Sequence, residues 1–408
     1  MSALGLELAQ PLEPDWQETL DLVAKRHGWP TSRDVRRLAA EVAELSEAYN
    51  DPARASATMA HAAAARLGFA FPRDVPKAAA AVRELIATRQ LRLDADVTRP
   101  LRILDLGAGL GAASWGVVRA LEAAGMRGAV EAEWVDADPG ALELAKEVVR
   151  ERVGRGTVRL SVRTTLGSVD RLGARGRFDV VLASHVLSEL DIGIAPETRV
   201  ERHAALVASL LRERVDDAGS LVAIEPALRD RTRHLHRVRD ALALLVDVAI
   251  FAPCLHRRGC PALERESDWC HEDLPIDVPS WLAPVARAAG LRRQGLTFSY
   301  LVLRRDNHIL GDRLVVPPGA ARLRVVSEAI PSKGKREAFV CGELDHAGVP
   351  VVGRVRLMRL DRDASQRNAP WEGVSRGDLL TIRPAPDLER ARIGLESEVT
   401  AAVARQDD

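Results

Sequence analysis

The sequence predicts an α/β fold: an open parallel sheet with crossover helices, preceded by an N-terminal helical region and followed by a small C-terminal β-rich domain. Three observations carry that expectation. From Leu101 short apolar runs alternate with helical stretches, three glycines follow the first run, and beyond Asp306 apolar and polar residues alternate in places. The composition is that of a folded chain, since 47% of the 408 residues are apolar, which excludes the disordered and collagen-like classes.

In order along the chain, region 1–98 reads as helical. Ser32 is placed to cap a helix in which Val35, Leu38, Val42 and Leu45 share a face. Alanine-rich segments from Ala53 to Leu67 and from Ala78 to Leu91 predict further helices, with Pro72 and Pro76 breaking the pattern between them. This region is expected to cap the domain that follows, 99–306. There strands are expected at Arg102 to Leu106, Ala132 to Asp136, Phe178 to Ala183 and Ser220 to Glu225, with an antiparallel pair around Arg292 to Leu303. Helices are expected at Gly111 to Ala124, Gly140 to Arg150 and Val200 to Val215. The β-rich domain covers 307–385, where Arg354, Arg356, Arg359 and Arg362 interleave with Val355, Leu357 and Leu360, as on a sheet with one wet face. Residues 386–408 read as a short helix and a charged tail.

Charge excludes more. Lys plus Arg and Asp plus Glu total 58 each, so attraction to nucleic acid has to be local. Only five of the basic residues are lysines, a bias read mostly as GC-rich coding. Met1 to Trp16 carries Glu7, Glu13 and Asp15 and lacks the pattern of an export signal. The longest apolar stretch, Ala241 to Leu255, is interrupted by Asp247 and is shorter than the roughly 20 residues that cross a bilayer. The chain is therefore expected to be cytoplasmic with no membrane partner, and its cysteines to be metal ligands or core residues rather than disulfides.

The segment Leu101-Arg-Ile-Leu-Asp-Leu-Gly-Ala-Gly-Leu-Gly111 sets Gly107, Gly109 and Gly111 at alternate positions between a strand and a helix. Glycines there let the backbone turn tightly and approach a ligand. The spacing is not the G-x-G-x-x-G of dinucleotide sites, and Asp105 precedes the first glycine by two residues. It resembles motif I of class I S-adenosylmethionine (SAM) methyltransferases, which implies their Rossmann-like core, with the glycines and Asp105 at the cofactor's amino-acid end. The same resemblance implies a ribose-binding acid, matched by Asp136 at the end of Ala132-Glu-Trp-Val-Asp136 with Asp138 as the alternative. It also implies a fourth strand, Phe178 to His185, whose end, including Ser184, faces the methyl-transfer centre. Ser184-His185-Val186-Leu187 departs from the proline-rich motif of base amino methylation, and no cysteine on that strand serves carbon methylation. His185 is expected to be a satisfied structural group, Ser188-Glu189 a turn or helix start, and no catalytic residue is assigned. A Rossmann-like domain that has lost its ligand is the alternative.

Cys254, Cys260 and Cys270 fall within seventeen residues as Cys-x5-Cys-x9-Cys, with Cys341 distant. Four thiolates suit an iron-sulfur cluster or tetrahedral zinc. The C-x2-C knuckles of structural zinc sites are missing, while His256 or His271 would complete a mixed zinc site. On this chemistry cluster, zinc and inert core stay open.

Several segments then occur in a shared order: Phe178 to Leu190, Ile224-Glu-Pro226, Ala252 to Pro261, Trp269-Cys-His271 and Phe298-Ser-Tyr-Leu-Val-Leu303. From about Ala53 to Leu380 the chain resembles the methyltransferase-like family of small-ribosomal-subunit assembly factors, and Arg376-Gly-Asp378 after Trp371 is similar to its closing Trp-Gly-Asp pattern. The resemblance implies SAM as cofactor and a [4Fe-4S] cluster on Cys254, Cys260, Cys270 and, from the β-rich end, Cys341. It implies the small ribosomal subunit and its rRNA as partners, in assembly or in rRNA methylation, and no DNA. Leu110, Leu255 and Glu272 stand where the family commonly has two prolines and a phenylalanine, and none of these departures removes a ligand. Arg322, Arg324, Lys333, Lys335 and Arg336 form a local basic group, suited to rRNA phosphates or else a solvated face paired with Glu337, Asp361 and Asp363. The alternative function is a small-molecule SAM-dependent methyltransferase with a structural zinc site.

Overall fold

In the computed structural model, which describes residues 3–50, 59–169 and 176–405, the N-terminal region forms α1 (Pro14–Arg26), α2 (Val35–Asn50), α3 (Met59–Ala65) and α4 (Phe71–Ala87). Part of the alanine-rich segment from Ala53 lies outside the described residues. Two expectations need correcting. The prolines do not break the rod: a wide turn over Arg66–Ala70 joins α3 to α4, Pro72 sits in the first turn of α4, and Pro76 lies within it. At a helix start the missing N–H of Pro72 has no intrahelical partner to lose. Ser32 does not cap α2: the helix starts at Val35, and the Ser32 hydroxyl donates to Asp21 at 3.0 Å while accepting from Gln17 at 2.9 Å. The alanine-rich α4 is buried along almost its whole length, so it is a core helix rather than a lid.

The central sheet contains β1 (Leu101–Leu106), β2 (Ala129–Asp136), β3 (Arg159–Leu166), β4 (Phe178–Ser184), β5 (Val215–Glu225), β6 (Ala249–Ala252), β7 (Glu272–Leu274) and β8 (Leu296–Arg304), ordered β3-β2-β1-β4-β5-β8-β6 with β7 on β8. Strands β1 to β5 run parallel, and β8 inserts antiparallel between β5 and β6. The pair expected around Arg292 to Leu303 is thus one strand. Helices α5 (Ala112–Ala123), α6 (Pro139–Arg152), α7 (Pro196–Arg214), α8 (Arg229–Ala243) and α9 (Ala283–Ala288) complete the layers. The strand order reverses between β1 and β4, the switch point at which open α/β sheets take ligands beyond their carboxyl ends.

The β-rich region comprises β9 (Leu314–Val315), β10 (Ala321–Val325), β11 (Ile330–Ser332), β12 (Lys335–His346), β13 (Val349–Leu360), β14 (Leu379–Arg383), β15 (Arg392–Ile393), β16 (Glu398–Ala401) and β17 (Val403–Ala404). Its sheet runs β15-β13-β12-β10-β14-β16, with β11 on β12, over a core that includes Leu323, Val340, Leu357 and Trp371. The tail expected to be helical is instead extended: Val399 lies in the core of this sheet, and β17 pairs with β9. No helix of the described residues is long and apolar enough to cross a membrane.

A buried ion network closes the seam between the two sheets. Glu84 on α4 accepts from Tyr300 at 2.8 Å and from Arg324 on β10 at 2.6 Å, and Arg324 also reaches Glu272 on β7 at 3.2 Å. Burial alone would raise the Glu84 pKa, but Arg324 and Arg83 outweigh it and hold the carboxyl below its usual range. Removing one member would leave an uncompensated charge, at a cost of about 3–5 kcal/mol.

Candidate functional site

Two sites emerge, a cleft at the switch point and a cavity at the seam. The cleft encloses about 630 Å³ beyond the carboxyl ends of β1, β2, β3 and β4, and Asp105, Gly107, Gly109, Asp136 and Ser184 all line it. Gly111 lies just behind. It caps α5 at φ 76°, and a Cβ there would sit 2.4 Å from the Trp134 ring. Gly109, at φ 53°, would meet nothing within 4 Å, so its face is open to a ligand.

Asp105 is buried at the end of β1. One carboxylate oxygen accepts from the Ser114 hydroxyl at 2.7 Å and its N–H at 3.1 Å, while Oδ1 is buried without a hydrogen-bond partner. Burial pushes its pKa up to about 7, against the Ser114 bonds and with help from Asp136. Asp136 accepts from the Gly109 N–H at 2.7 Å and the Asp138 N–H at 2.8 Å, so it fixes the glycine turn. Each of its oxygens keeps a lone pair for a further donor. Asp138 accepts from the N–H groups of Gly140 and Ala141 as the N-cap of α6, which favours Asp136 for a ligand.

His185 corrects an expectation. It follows β4 with a left-handed φ of 62°, and its N–H donates to Ile224 O at 2.7 Å. Its Nε2 is buried with no partner, so the ring is not satisfied. Burial, aided by Lys77 and opposed by Asp74, lowers its pKa to about 4, which keeps the imidazole neutral. Ser188-Glu189 is a turn as expected, held by Glu225 of the Ile224-Glu-Pro226 segment, to which no role was assigned: it accepts from the N–H groups of Leu187 and Ser188 at 2.9 and 3.2 Å. The wall from the N-terminal region, Arg66, Phe71 and Asp74, was equally unforeseen. No nearby motif marks it.

At the seam all four cysteines line one enclosed cavity of about 40 Å³. Cys254 follows β6, Cys260 precedes a short turn and donates its N–H to Asp240 at 3.0 Å, Cys270 precedes β7, and Cys341 lies within β12. None is in a disulfide. Burial and the neighbouring thiols push Cys270 up to about 11 and also raise Cys260 and Cys341 above the usual thiol range. His256 and His271 share the wall, with His256 Nε2 3.8 Å from Cys341 Sγ. Among the described residues no three His, Cys, Asp or Glu side chains come together as a site for one metal ion.

The basic group is largely neutralised by acids, Glu337 among them as expected and Glu343 and Glu372 not foreseen. Arg322 pairs with Glu343, Lys335 and Arg356 with Glu337, and Arg336 and Arg359 with Glu372, while Asp363 pairs with Arg392.

The family model described as mitochondrial small ribosomal subunit Rsm22 matches residues 73–354, more than half of the chain. Solved structures similar to the chain include an rRNA methylase from Escherichia coli, 13% identical over 72% of this chain and 92% of that one, with a TM-score of 0.32. Others are the 16S rRNA methylase RmtB, at 14%, 72%, 92% and 0.30, and an S-adenosylmethionine-dependent methyltransferase from Clostridium acetobutylicum ATCC 824, at 9%, 75%, 84% and 0.22. No curated protein matches.

Proposed function

The chain belongs to the mitochondrial small ribosomal subunit Rsm22 family, and from that membership and its two sites we propose that it is an assembly factor of the small ribosomal subunit that binds rRNA, SAM and a [4Fe-4S] cluster. The observation that carries this reading is the occurrence, in a chain of that family, of both a glycine-turn cleft and a cavity of four thiols.

The cleft residues fit SAM. The unpartnered Oδ1 of Asp105 is a buried acceptor suited to an ammonium group, the face of Gly109 admits a ligand, and Asp136 has lone pairs left for ribose hydroxyls. SAM when bound supplies an electrophilic methyl group. Four buried thiols lining one cavity suit a cluster held by thiolates. Metal binding would contribute folding free energy directly, joining the β-rich region to the core. Support for the rRNA partner comes from the family rather than from the largely neutralised basic face.

Crosslinking in cells followed by sequencing of bound RNA tests the reading. Enrichment of small-subunit rRNA is expected, and its absence would overturn it. Anaerobic purification is expected to give a brown, iron-containing protein, whereas a colourless one with stoichiometric zinc would remove the cluster. One observation favours methyl transfer to rRNA as a second reading: the neutral, unpartnered Nε2 of His185 is an acceptor at the β4 end of the cleft. Loss of rRNA methylation in Asp136→Ala with subunit binding intact would support it.

A further inference from the structure

The guanidinium groups around the thiol cavity are not all accounted for by their ion pairs. Cys341 stands directly across from Arg324 on β10 and from Arg354 on β13. Residues so paired share a face with Cβ atoms about 4.5–5.5 Å apart, so this thiol is flanked by an arginine on each side. Arg324 is fully engaged: Nε donates to Pro253 O, Nη1 to Glu272 and Nη2 to Glu84. Arg354 is not. Its Nη1 donates to Asp268 at 2.6 Å, but its Nε is buried with no hydrogen-bond partner.

A second such donor belongs to the core domain. Arg239 on α8 lines the same cavity at 1% exposure, with Nη1 donating to Asp240 at 2.7 Å and to Arg258 O, and Nη2 donating to His256 O. Its Nε is likewise buried and unpartnered. Buried N–H groups are nearly always paired; Arg376 Nε in the same wall lies 3.7 Å from Glu328, and the orphaned Nε donors of Arg239 and Arg354 call for acceptor atoms inside the cavity. Sulfur of a thiolate-bound cluster is such an acceptor, and hydrogen bonds to sulfur together with nearby positive charge are what tune a cluster's potential.

We propose that Arg239 and Arg354 are positioning residues for the anionic group held by the four thiolates, donating Nε–H hydrogen bonds to its sulfurs and raising its reduction potential. The proposal rests on the cluster reading above. One added electron makes the group more negative while no bond forms or breaks, so a fixed guanidinium favours the reduced form over the oxidised one. One arginine comes from each side of the seam, so the potential reports whether the two sheets are docked.

Full-length wild type, Arg239→Gln, Arg354→Gln and Arg354→Lys, reconstituted anaerobically with iron and sulfide, supply the test. Iron and zinc are quantified first, and the reduced-to-oxidised ratio is then followed by electron paramagnetic resonance during titration with dithionite. Each glutamine variant is expected to keep its iron and to lower that ratio about tenfold at fixed poise, a shift of about 59 mV for a one-electron couple. Arg354→Lys, which keeps the charge and loses the Nε donor, is expected to shift less in the same direction. Unchanged ratios in iron-loaded variants overturn the proposal and leave the cluster reading intact. A wild type that takes zinc and no iron overturns the cluster reading and the proposal with it. Should circular dichroism show a glutamine variant unfolded, Arg354→Lys decides alone, and an unshifted ratio there is a refutation.

Discussion

The cleft and the thiol cavity are built on opposite plans. The cleft is wide and open, about 630 Å³, and its ligand-facing residues from Asp105 to Ser184 sit on neighbouring strand ends of one parallel sheet. Strand direction and three glycines form its floor, and Arg66, Phe71 and Asp74 of the N-terminal region wall it. The cavity is small and enclosed, and it takes thiols from three loop segments and from β12 of the other sheet. The buried pairs of Arg324 with Glu84 and Glu272 already span that seam, and on the cluster reading a bound metal would add its binding energy to the docking of the β-rich region.

The largest effect should therefore come from the cavity. Cys341→Ser is expected to abolish metal retention, to lower the unfolding midpoint by about 10 °C and to expose the segment between Asp306 and Ala320 to limited proteolysis. Calorimetry with S-adenosylhomocysteine should still show binding at the cleft. If cleft binding vanished as well, the two sites would not be independent, and the contrast drawn here would fail.

Within the cleft, two glycines separate fold from function. Gly111→Ala drives a Cβ into Trp134 at a left-handed φ and should cost about 2–4 kcal/mol in urea unfolding. Gly109→Ala keeps only the backbone strain, about 1–2 kcal/mol, because its face is open. Its expected signature is a loss of adenosyl-ligand affinity of tenfold or more with the fold retained. Equal losses of stability in both variants would mean that the open face of Gly109 is not where a ligand approaches.

Asp105 gives the cleft a pH signature of its own. Burial holds its folded pKa at about 7, above the unfolded value of about 3.9. The folded state thus binds the extra proton between those values, and this residue's contribution to stability is full below about pH 4 and lost as pH rises through 7. A ligand ammonium prefers the ionised carboxylate, so affinity should climb about tenfold per pH unit toward 7 and then level off. Asp105→Asn should flatten both profiles. A wild-type binding curve independent of pH from 5 to 8 would remove Asp105 from the ammonium site.

The same contrast explains what the sequence disclosed. Residues 101–136 were legible because contiguous chain carries the glycine turn, its buried acid and the second strand's acid. Arg159–Leu166 was not, since an edge strand of mixed polarity shows neither a buried run nor a clean alternation. The tail misled because β16 and β17 draw their order from pairing with β14 and β9, which composition does not reveal. Clustering flagged the cysteines, yet the placement of Arg354 beside Cys341 depends on β-strand register, which no spacing encodes. His185 was expected to be satisfied because most histidines are, and only its surroundings show that Nε2 is not. Glu225 did leave a trace, an acid ending the apolar strand Ser220 to Glu225, but its two backbone donors lie nearly forty residues away.

The smallest effect decides between neighbouring acids. Asp138 accepts from two N–H groups at the start of α6, so Asp138→Ala should behave as a lost cap, about 1 kcal/mol in stability with adenosyl-ligand affinity unchanged. Asp136 also anchors the Gly109 N–H at 2.7 Å, so Asp136→Ala should loosen the turn and remove the ribose acceptor together, with affinity falling far more than stability. Asp136→Asn sharpens the point. The amide keeps one carbonyl acceptor for Gly109 but puts a donor where the second backbone bond from Asp138 ends, so it should recover part of the turn and little of the affinity. If Asp138→Ala instead weakened binding as much as Asp136→Ala, the capping bonds would have misdirected the assignment, and the carboxylate on the helix start would be the one that faces the ligand.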